Sequence, residues 1–222
     1  QATYTFSKFM EASGYLNGLD PYPERVISSS DFPHRFSVSS IYELPFGTGK
    51  HFFGSAKGVG GKLISGWQAQ GVYTGQSGQA LGFGNSIFFG DIKNVPLPKS
   101  ERTVDRWFNV DAGFERSSAR ALSYNLRTLN SRFSGLRGDG INQFNLSLIK
   151  NTKITETTSA QFRAEAINAL NHPQFTNPNT SPTSSTAGAP VTLVGGLFDV
   201  SANPNAAIVG ASIQFAVGGQ SC

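Results

Sequence analysis

The stretch from Ser159 to Pro173 reads SAQFRAEAINALNHP and decides which class of fold the chain adopts. Within it, the polar residues Gln161, Arg163 and Glu165 alternate with apolar ones. An alternation with period two is typical of a β-strand that has one polar and one apolar face. In a soluble protein the polar face meets water, whereas in an outer-membrane barrel the apolar face points outward to lipid. The rest of the sequence has to decide between these two arrangements.

Composition indicates an all-β chain with few charges. Charged residues make up 14% of the 222 residues, against about 25% in an ordinary globular domain. Glycine (25 residues) and phenylalanine (18 residues) are abundant, and helical periodicity is scarce. No apolar run approaches the roughly 20 residues that a transmembrane helix needs.

Charge and cysteine content exclude two kinds of function. The formal net charge is +4, but lysine and arginine are scattered along the chain rather than clustered. A nucleic-acid surface needs basic clusters, so we predict no nucleic-acid partner. The single cysteine, Cys222, is the last residue. It excludes an internal disulfide framework and a cysteine-based zinc site.

Period-two alternation recurs along the chain and predicts six strands. These lie at about residues 1–11, 34–44, 67–74, 141–152, 159–168 and 206–215. The third could continue to Phe89, whereas residues 90–139 form a long polar stretch in which we predict no strand. Long connections follow the first, third and fifth strands, and the other two are shorter. Because antiparallel strands alternate in direction, all the long connections fall on one side, as in a membrane barrel.

This pattern predicts an antiparallel transmembrane β-barrel segment of about six to seven strands with long extracellular loops. Six strands cannot close such a barrel, since the smallest have about eight. We therefore expect residues 1–222 to be the C-terminal portion of a larger outer-membrane barrel, whose plug and N-terminal strands are absent from this sequence. The alternative is a soluble β-sandwich whose polar strand faces point outward.

The barrel interpretation assigns two sets of residues. Polar positions on the strands would face the lumen, where they contact water or a passing solute. These candidates are Arg35, Gln68, Gln70, Gln143, Asn145, Arg163 and Glu165. Aromatic residues near strand ends would form the girdle at the edge of the membrane. These candidates are Tyr42, Phe46, Trp67 and Phe215.

Patterns that resemble catalytic or metal sites do not fit a strand. Ser147 and Lys150 have the S-x-x-K spacing of serine acylases, which requires a helix. On a strand this odd offset sends the two side chains to opposite faces. His34, His51 and His172 are widely separated and lack the spacing of helical metal ligands. We predict no catalytic, cofactor or metal site, and thus no enzyme.

Several segments resemble the C-terminal half of the Oar-like family of TonB-dependent outer-membrane receptors. The matching runs are Tyr4–Lys8, Ser30–Phe36, Tyr42–Lys50, Gly66–Gln68, Gln76–Gln79, Asp105–Asn109 and Gln161–Pro173. Their order and spacing fit over nearly the whole chain. One departure is that residues Ala216–Cys222 follow Phe215, whereas family members usually end on the aromatic residue of the last strand.

The resemblance implies a barrel of 22 strands with an N-terminal plug, energised by the TonB complex, in the outer membrane of a Gram-negative-type bacterium. The implied function is binding and import of a large nutrient such as a siderophore or a glycan. The implied partners are outer-membrane lipid, the remaining barrel and plug of the same protein, the TonB complex and an unknown extracellular ligand. Two alternatives stay open: a structural or adhesive outer-membrane barrel, and a soluble β-sandwich binding module.

Overall fold

The computed structural model describes residues 1–103 and 105–189 and the backbone of residues 208–217. In chain order its strands are β1 (Ala2–Phe6), β2 (Met10–Glu11), β3 (Val26–Ile27), β4 (His34–Glu43), β5 (Trp67–Gln76), β6 (Ala80–Leu81), β7 (Phe133–Arg137), β8 (Ile141–Lys153), β9 (Thr158–Ile167) and β10 (Ile208–Val217). The described helices are α1 (Gly58–Ile64) and two 3₁₀ turns, Ile92–Asn94 and Lys99–Glu101. None of the helices among the described residues has the length and apolar character needed to cross a membrane.

Six of the strands form one antiparallel sheet in the order β1-β4-β5-β8-β9-β10. β4, β5, β9 and β10 have 10 residues each, which matches the roughly 9–11 residues of a transmembrane β-strand. Among the described residues β1 and β10 are the two ends of the sheet, which is therefore open rather than closed into a barrel. The predicted all-β, antiparallel fold is confirmed.

The register of the sheet separates an apolar face from a polar face. Leu148 of β8 lies opposite both Ala69 of β5 and Ala164 of β9. Residues that lie directly opposite each other on neighbouring strands share a face. The apolar face therefore carries Tyr4, Phe36, Val38, Tyr73, Phe144, Leu146, Leu148, Phe162 and Ala164. Several of these side chains are open to the surroundings, and Leu146 is 42% exposed. A β-sandwich would bury such a face under a second sheet.

The connections alternate between the two ends of the sheet. Residues 7–33, 77–140 and 168–207 connect strands at one end, called here the long-loop end; the third connection is described as far as residue 189. Residues 44–66 and 154–157 connect strands at the short-loop end. The predicted parity is confirmed. The connection 44–66 contains α1.

Residues Ser159–Pro173 comprise most of strand β9 and a turn that is fixed by side-chain hydrogen bonds. β9 ends at Ile167 because Asn168 has a positive φ of 53°, a conformation that asparagine tolerates better than most residues. The Asn168 side chain accepts a hydrogen bond from the His172 amide (3.0 Å) and donates one to its carbonyl (2.9 Å). Asn145 of β8 in turn accepts a hydrogen bond from the Asn168 amide (3.0 Å).

Two predicted strand boundaries are wrong. β1 stops at Phe6 rather than near residue 11, and β5 stops at Gln76 rather than continuing to Phe89. Beyond Gln76 the chain turns away to pack against the end of β7. A Cβ on Gly78 would lie 2.0 Å from the carbonyl oxygen of Gly138, so glycine permits this close approach.

The largest error concerns residues 90–139, which we predicted to be a polar stretch without a strand. They contain β7, and together with residues 80–89 they hold most of the buried apolar side chains of the described chain. One core cluster consists of Leu81, Phe83, Val95, Phe108, Phe114, Leu129 and Leu136. The aromatic rings of this cluster are tilted against one another. The Phe83 ring centroid lies 5.2 Å from that of Phe108 and 4.5 Å from that of Phe114. The residues of this cluster follow neither a helical nor a strand period along the sequence, because most of the backbone that carries them is irregular.

Candidate functional site

The seven predicted lumenal residues lie on one face of the sheet, the polar face. The register gives the pairs Arg35–Gln76, Gln68–Ile149, Gln70–Ser147, Val72–Asn145, Thr74–Gln143, Ile149–Arg163 and Ser147–Glu165. Every member of this set therefore projects to the same side, away from Leu148 and Tyr73. That this face lines a lumen stays a prediction.

A small charged network lies near the middle of the polar face. Arg163 and Glu165, two residues apart on β9, form an ion pair at 2.5 Å. Ser147 of β8 donates a hydrogen bond from its hydroxyl to the Glu165 carboxylate at 3.2 Å. The Arg163 and Glu165 side chains are 40% and 43% exposed. A pair this exposed contributes little to stability, about 0–1 kcal/mol, and remains able to exchange its partner for water or a solute.

The other polar-face residues differ in how far they are paired. Gln143 donates to Asn145 at 3.1 Å, and Gln161 donates to Asn151 at 2.8 Å. Arg35 is exposed and forms no hydrogen bond or ion pair with any described residue. Within the described part of the chain it is therefore an uncompensated positive charge, close to the long-loop end of the polar face.

The three connections at the long-loop end fold together into one unit, called here the loop module (residues 7–33, 77–140 and 168–189). The pair Asp31–Arg137 joins the first connection to the second. The Arg137 guanidinium contacts an Asp31 carboxylate oxygen at 2.6 Å and also donates to the Asp31 carbonyl at 2.9 Å. The other carboxylate oxygen accepts the Phe9 amide at 2.6 Å. Asp31 is 1% exposed, so this pair is buried.

Further long-range contacts hold the same connections. Glu24 accepts hydrogen bonds from the amide and hydroxyl of Ser131, at 2.9 and 2.7 Å. Arg132 pairs with Glu11 and donates to the Ile27 carbonyl at 2.8 Å. The third connection is attached through Asp139, whose carboxylate accepts the Phe175 amide at 3.0 Å. The loop module therefore has fixed geometry rather than being three independent loops.

Large exposed apolar residues lie on the two connections of the loop module that Asn17 joins. Asn17 forms two hydrogen bonds with the backbone of Arg127, at 3.1 and 2.8 Å. Within ten residues of Asn17 or Arg127 along the chain, the large apolar residues Tyr15, Leu19, Tyr22, Leu122, Tyr124 and Leu126 are exposed. Tyr124, for example, is 99% exposed. Exposed apolar side chains are typical of binding surfaces where they form a continuous patch.

Comparison with known families identifies the class of protein. A family model described as an outer membrane beta barrel domain matches residues 1–196. The chain belongs to this family. It is therefore an outer-membrane protein of a Gram-negative-type bacterium, in contact with membrane lipid. No curated protein and no solved structure matches the chain.

The girdle candidates of this outer membrane beta barrel domain cluster at the short-loop end. Trp67 begins β5, and Tyr42 lies near the end of β4 on the same apolar face. Phe46 follows β4 and its ring packs 5.7 Å from that of Phe52. Phe215 lies opposite Ala160 in the register, but its side chain is outside the described residues. Their role as a membrane girdle stays a prediction.

Trp67 is held in place by its neighbours. Its indole donates to the Leu63 carbonyl of α1 at 3.0 Å, and the Lys150 ammonium lies 5.0 Å from the ring centroid. Gly66 just before it has φ +80°, and a Cβ there would lie 2.2 Å from the Asn151 carbonyl oxygen. The tight entry into β5 thus requires glycine. Lys150 donates to the Lys62 and Ser65 carbonyls, on the face opposite Ser147.

A second aromatic group of the barrel domain, missed by the sequence analysis, lies at the long-loop end of the apolar face. It consists of Tyr4, Phe6, Phe36 and Tyr73, together with His34. The Tyr4 hydroxyl lies 2.8 Å from Nδ1 of His34, and the Phe36 and Tyr73 rings are 6.0 Å apart. The signal was present in the sequence, because each aromatic residue lies on the apolar side of the alternation in its own strand. Their proximity, however, depends on register, which one strand alone does not fix.

Proposed function

We propose that this barrel domain is part of a TonB-dependent outer-membrane receptor of the Oar-like type, which binds and imports a large nutrient such as a siderophore or a glycan. The observation that carries the proposal is the arrangement of the sheet. Seven polar strand residues share one face, and the three long connections fold into a module at one end of that face. A solute captured at the loop module would then pass along a polar wall that includes Arg35, Arg163 and Glu165.

The segments quoted in the resemblance support the same function. Asp31 and Trp107, which lie in two of these runs, both take part in the contacts that fix the loop module. The partners in this proposal are the plug and the remaining barrel strands of the same protein, and the TonB complex. It assigns no catalytic step, since Ser147 and Lys150 project to opposite faces of β8.

The proposal is tested by uptake measurements on living cells. We expect deletion of the gene to lower accumulation of the nutrient that induces it, and deletion of the energising TonB gene to lower accumulation to the same level. Uptake that continues in the TonB-deficient strain would contradict transport. Loss of cell attachment with unchanged uptake would favour the adhesive alternative.

A charge reversal on the polar face sharpens this test. Arg35→Glu replaces a cation that has no partner among the described residues and lies on the proposed solute path. We expect it to change the uptake rate of a charged nutrient at unchanged surface level. Lys57→Glu is the matched control, since Lys57 is exposed at the short-loop end just before α1. Equal effects of the two variants would argue against passage along the polar face.

A further inference from the structure

A cavity of about 740 Å³ lies at the long-loop end of the apolar face. One wall is formed by His34, Phe36 and Tyr73 from the sheet, and the other by Lys99, Arg102 and Trp107 from the loop module. The volume falls within the roughly 300–1,000 Å³ of ordinary ligand sites. An apolar wall from the sheet thus meets a basic wall from the loops in a single cavity.

The two cations of the basic wall, Lys99 and Arg102, are not neutralised by any described residue. Lys99 is exposed and forms no hydrogen bond or ion pair within the described part of the chain. Arg102 donates only its Nε hydrogen bond, to the Leu97 carbonyl at 2.9 Å, and its guanidinium lies 5.7 Å from the Trp107 ring centroid. Its two Nη groups have no partner among the described residues and can donate to a ligand.

The remaining charged groups that line the cavity already have partners among the described residues. Arg137 is paired with Asp31. The carboxylate oxygens of Asp139 accept the Gly140 and Phe175 amides, at 2.9 and 3.0 Å. Lys99 and Arg102 together outweigh the single negative charge of Asp139, so the cavity is complementary to an anion that can reach both cations.

The position of the cavity limits what that anion can be. Phe36 and Tyr73 belong to the apolar face, which in a membrane barrel contacts lipid. Aromatic residues at the end of such a face lie at headgroup level. Lys99 and Arg102 line the same cavity as these aromatic residues and therefore lie at the same level. Basic pockets at this level are suited to anionic lipid headgroups. A soluble anion has no apolar part that could pack against Phe36 and Tyr73.

We propose that this cavity binds the phosphate-bearing headgroup of a lipid of the outer leaflet. Lys99 and Arg102 contact the phosphate, Trp107 holds the Arg102 guanidinium in place, and Phe36 and Tyr73 contact the upper part of an acyl chain. The inference depends on the outer-membrane family of the chain and not on the transport function proposed above. It holds equally for a transporter and for an adhesive barrel.

The test uses native mass spectrometry of the intact gene product in mild detergent, with diphosphorylated lipid A as the probe. We expect Lys99→Gln/Arg102→Gln to weaken binding about 25-fold, since each cation near an anionic surface contributes roughly a factor of five. Lys93→Gln/Arg106→Gln removes the same charge from the same connection, outside the cavity, and should bind like the wild type. Dephosphorylated lipid A should bind the wild type as weakly as phosphorylated lipid A binds the cavity variant.

Three results would overturn the proposal. The cavity and control variants could bind lipid A equally, or the phosphorylated and dephosphorylated lipids could bind the wild type equally. Inorganic phosphate could also displace the lipid at concentrations comparable to that of the lipid itself, which would identify a soluble anion as the ligand. Heat-modifiable migration in gel electrophoresis verifies that each variant is folded, and Lys99→Arg should retain binding.

Discussion

Arg137→Met is expected to destabilise the loop module by about 3 to 5 kcal/mol, which is the usual cost of leaving a buried charge without its partner. Asp31 is 1% exposed, so its carboxylate cannot turn to water when Arg137 is removed. The substitution also removes guanidinium hydrogen bonds to the carbonyls of Gly78 (3.1 Å) and Ser134 (3.1 Å). Native-state hydrogen exchange of the loop-module amides in the detergent-solubilised protein measures the effect.

Arg116→Met is the matched control in the same connection. Arg116 pairs with Asp111 at 3.5 Å, and the Asp111 side chain is 77% exposed, so its loss should cost no more than about 1 kcal/mol. The double variant Asp31→Asn/Arg137→Met should be no less stable than Arg137→Met, because it also removes the orphaned charge. Equal exchange rates in Arg137→Met and Arg116→Met would show that the buried pair does not hold the module.

Leu148→Arg is expected to impair assembly of the barrel in the membrane. Leu148 lies near the middle of β8 and opposite Ala69 and Ala164, in the centre of the apolar face. An arginine at the bilayer midplane of a barrel costs about 2 to 4 kcal/mol. The fraction of heat-modifiable protein in the outer-membrane fraction measures assembly, and we expect it to fall strongly.

Ser147→Arg places the same side chain one residue earlier, on the polar face. There the new guanidinium lies beside Glu165, which already accepts the Ser147 hydroxyl at 3.2 Å. We therefore expect assembly close to that of the wild type. If the two arginine variants assemble equally well, or Ser147→Arg is the worse, the assignment of the faces is wrong.

The strands of the main sheet could be predicted because their signal is local. Alternation along β4, β8 and β9 identifies both the strand and its two faces, and the order of long and short connections then fixes which ends lie together. The same alternation brought all seven polar candidates to one face. Period-two patterning carries this information because successive side chains on a strand project to opposite sides.

The loop module could not be predicted from the same signals. Its buried pair joins residues 106 positions apart, and Glu24 meets Ser131 across 107 positions. Its core residues, such as Phe83 and Phe108, follow no helical or strand period, so the segment appeared polar and unstructured. The runs that contain Asp31 and Trp107 were singled out by resemblance, but their structural role required the folded chain.

In the membrane, we expect the apolar face to contact lipid and the polar face to line an aqueous lumen. Spin labels on single cysteines at positions 146, 147, 148 and 149 test it most directly, in the intact protein in lipid nanodiscs with Cys222 and any other cysteine replaced by serine. We predict that labels at 146 and 148 are accessible to oxygen dissolved in lipid, and labels at 147 and 149 to a water-soluble nickel complex. The reverse pattern of accessibility, or no alternation in accessibility along β8, would contradict this assignment of the two faces.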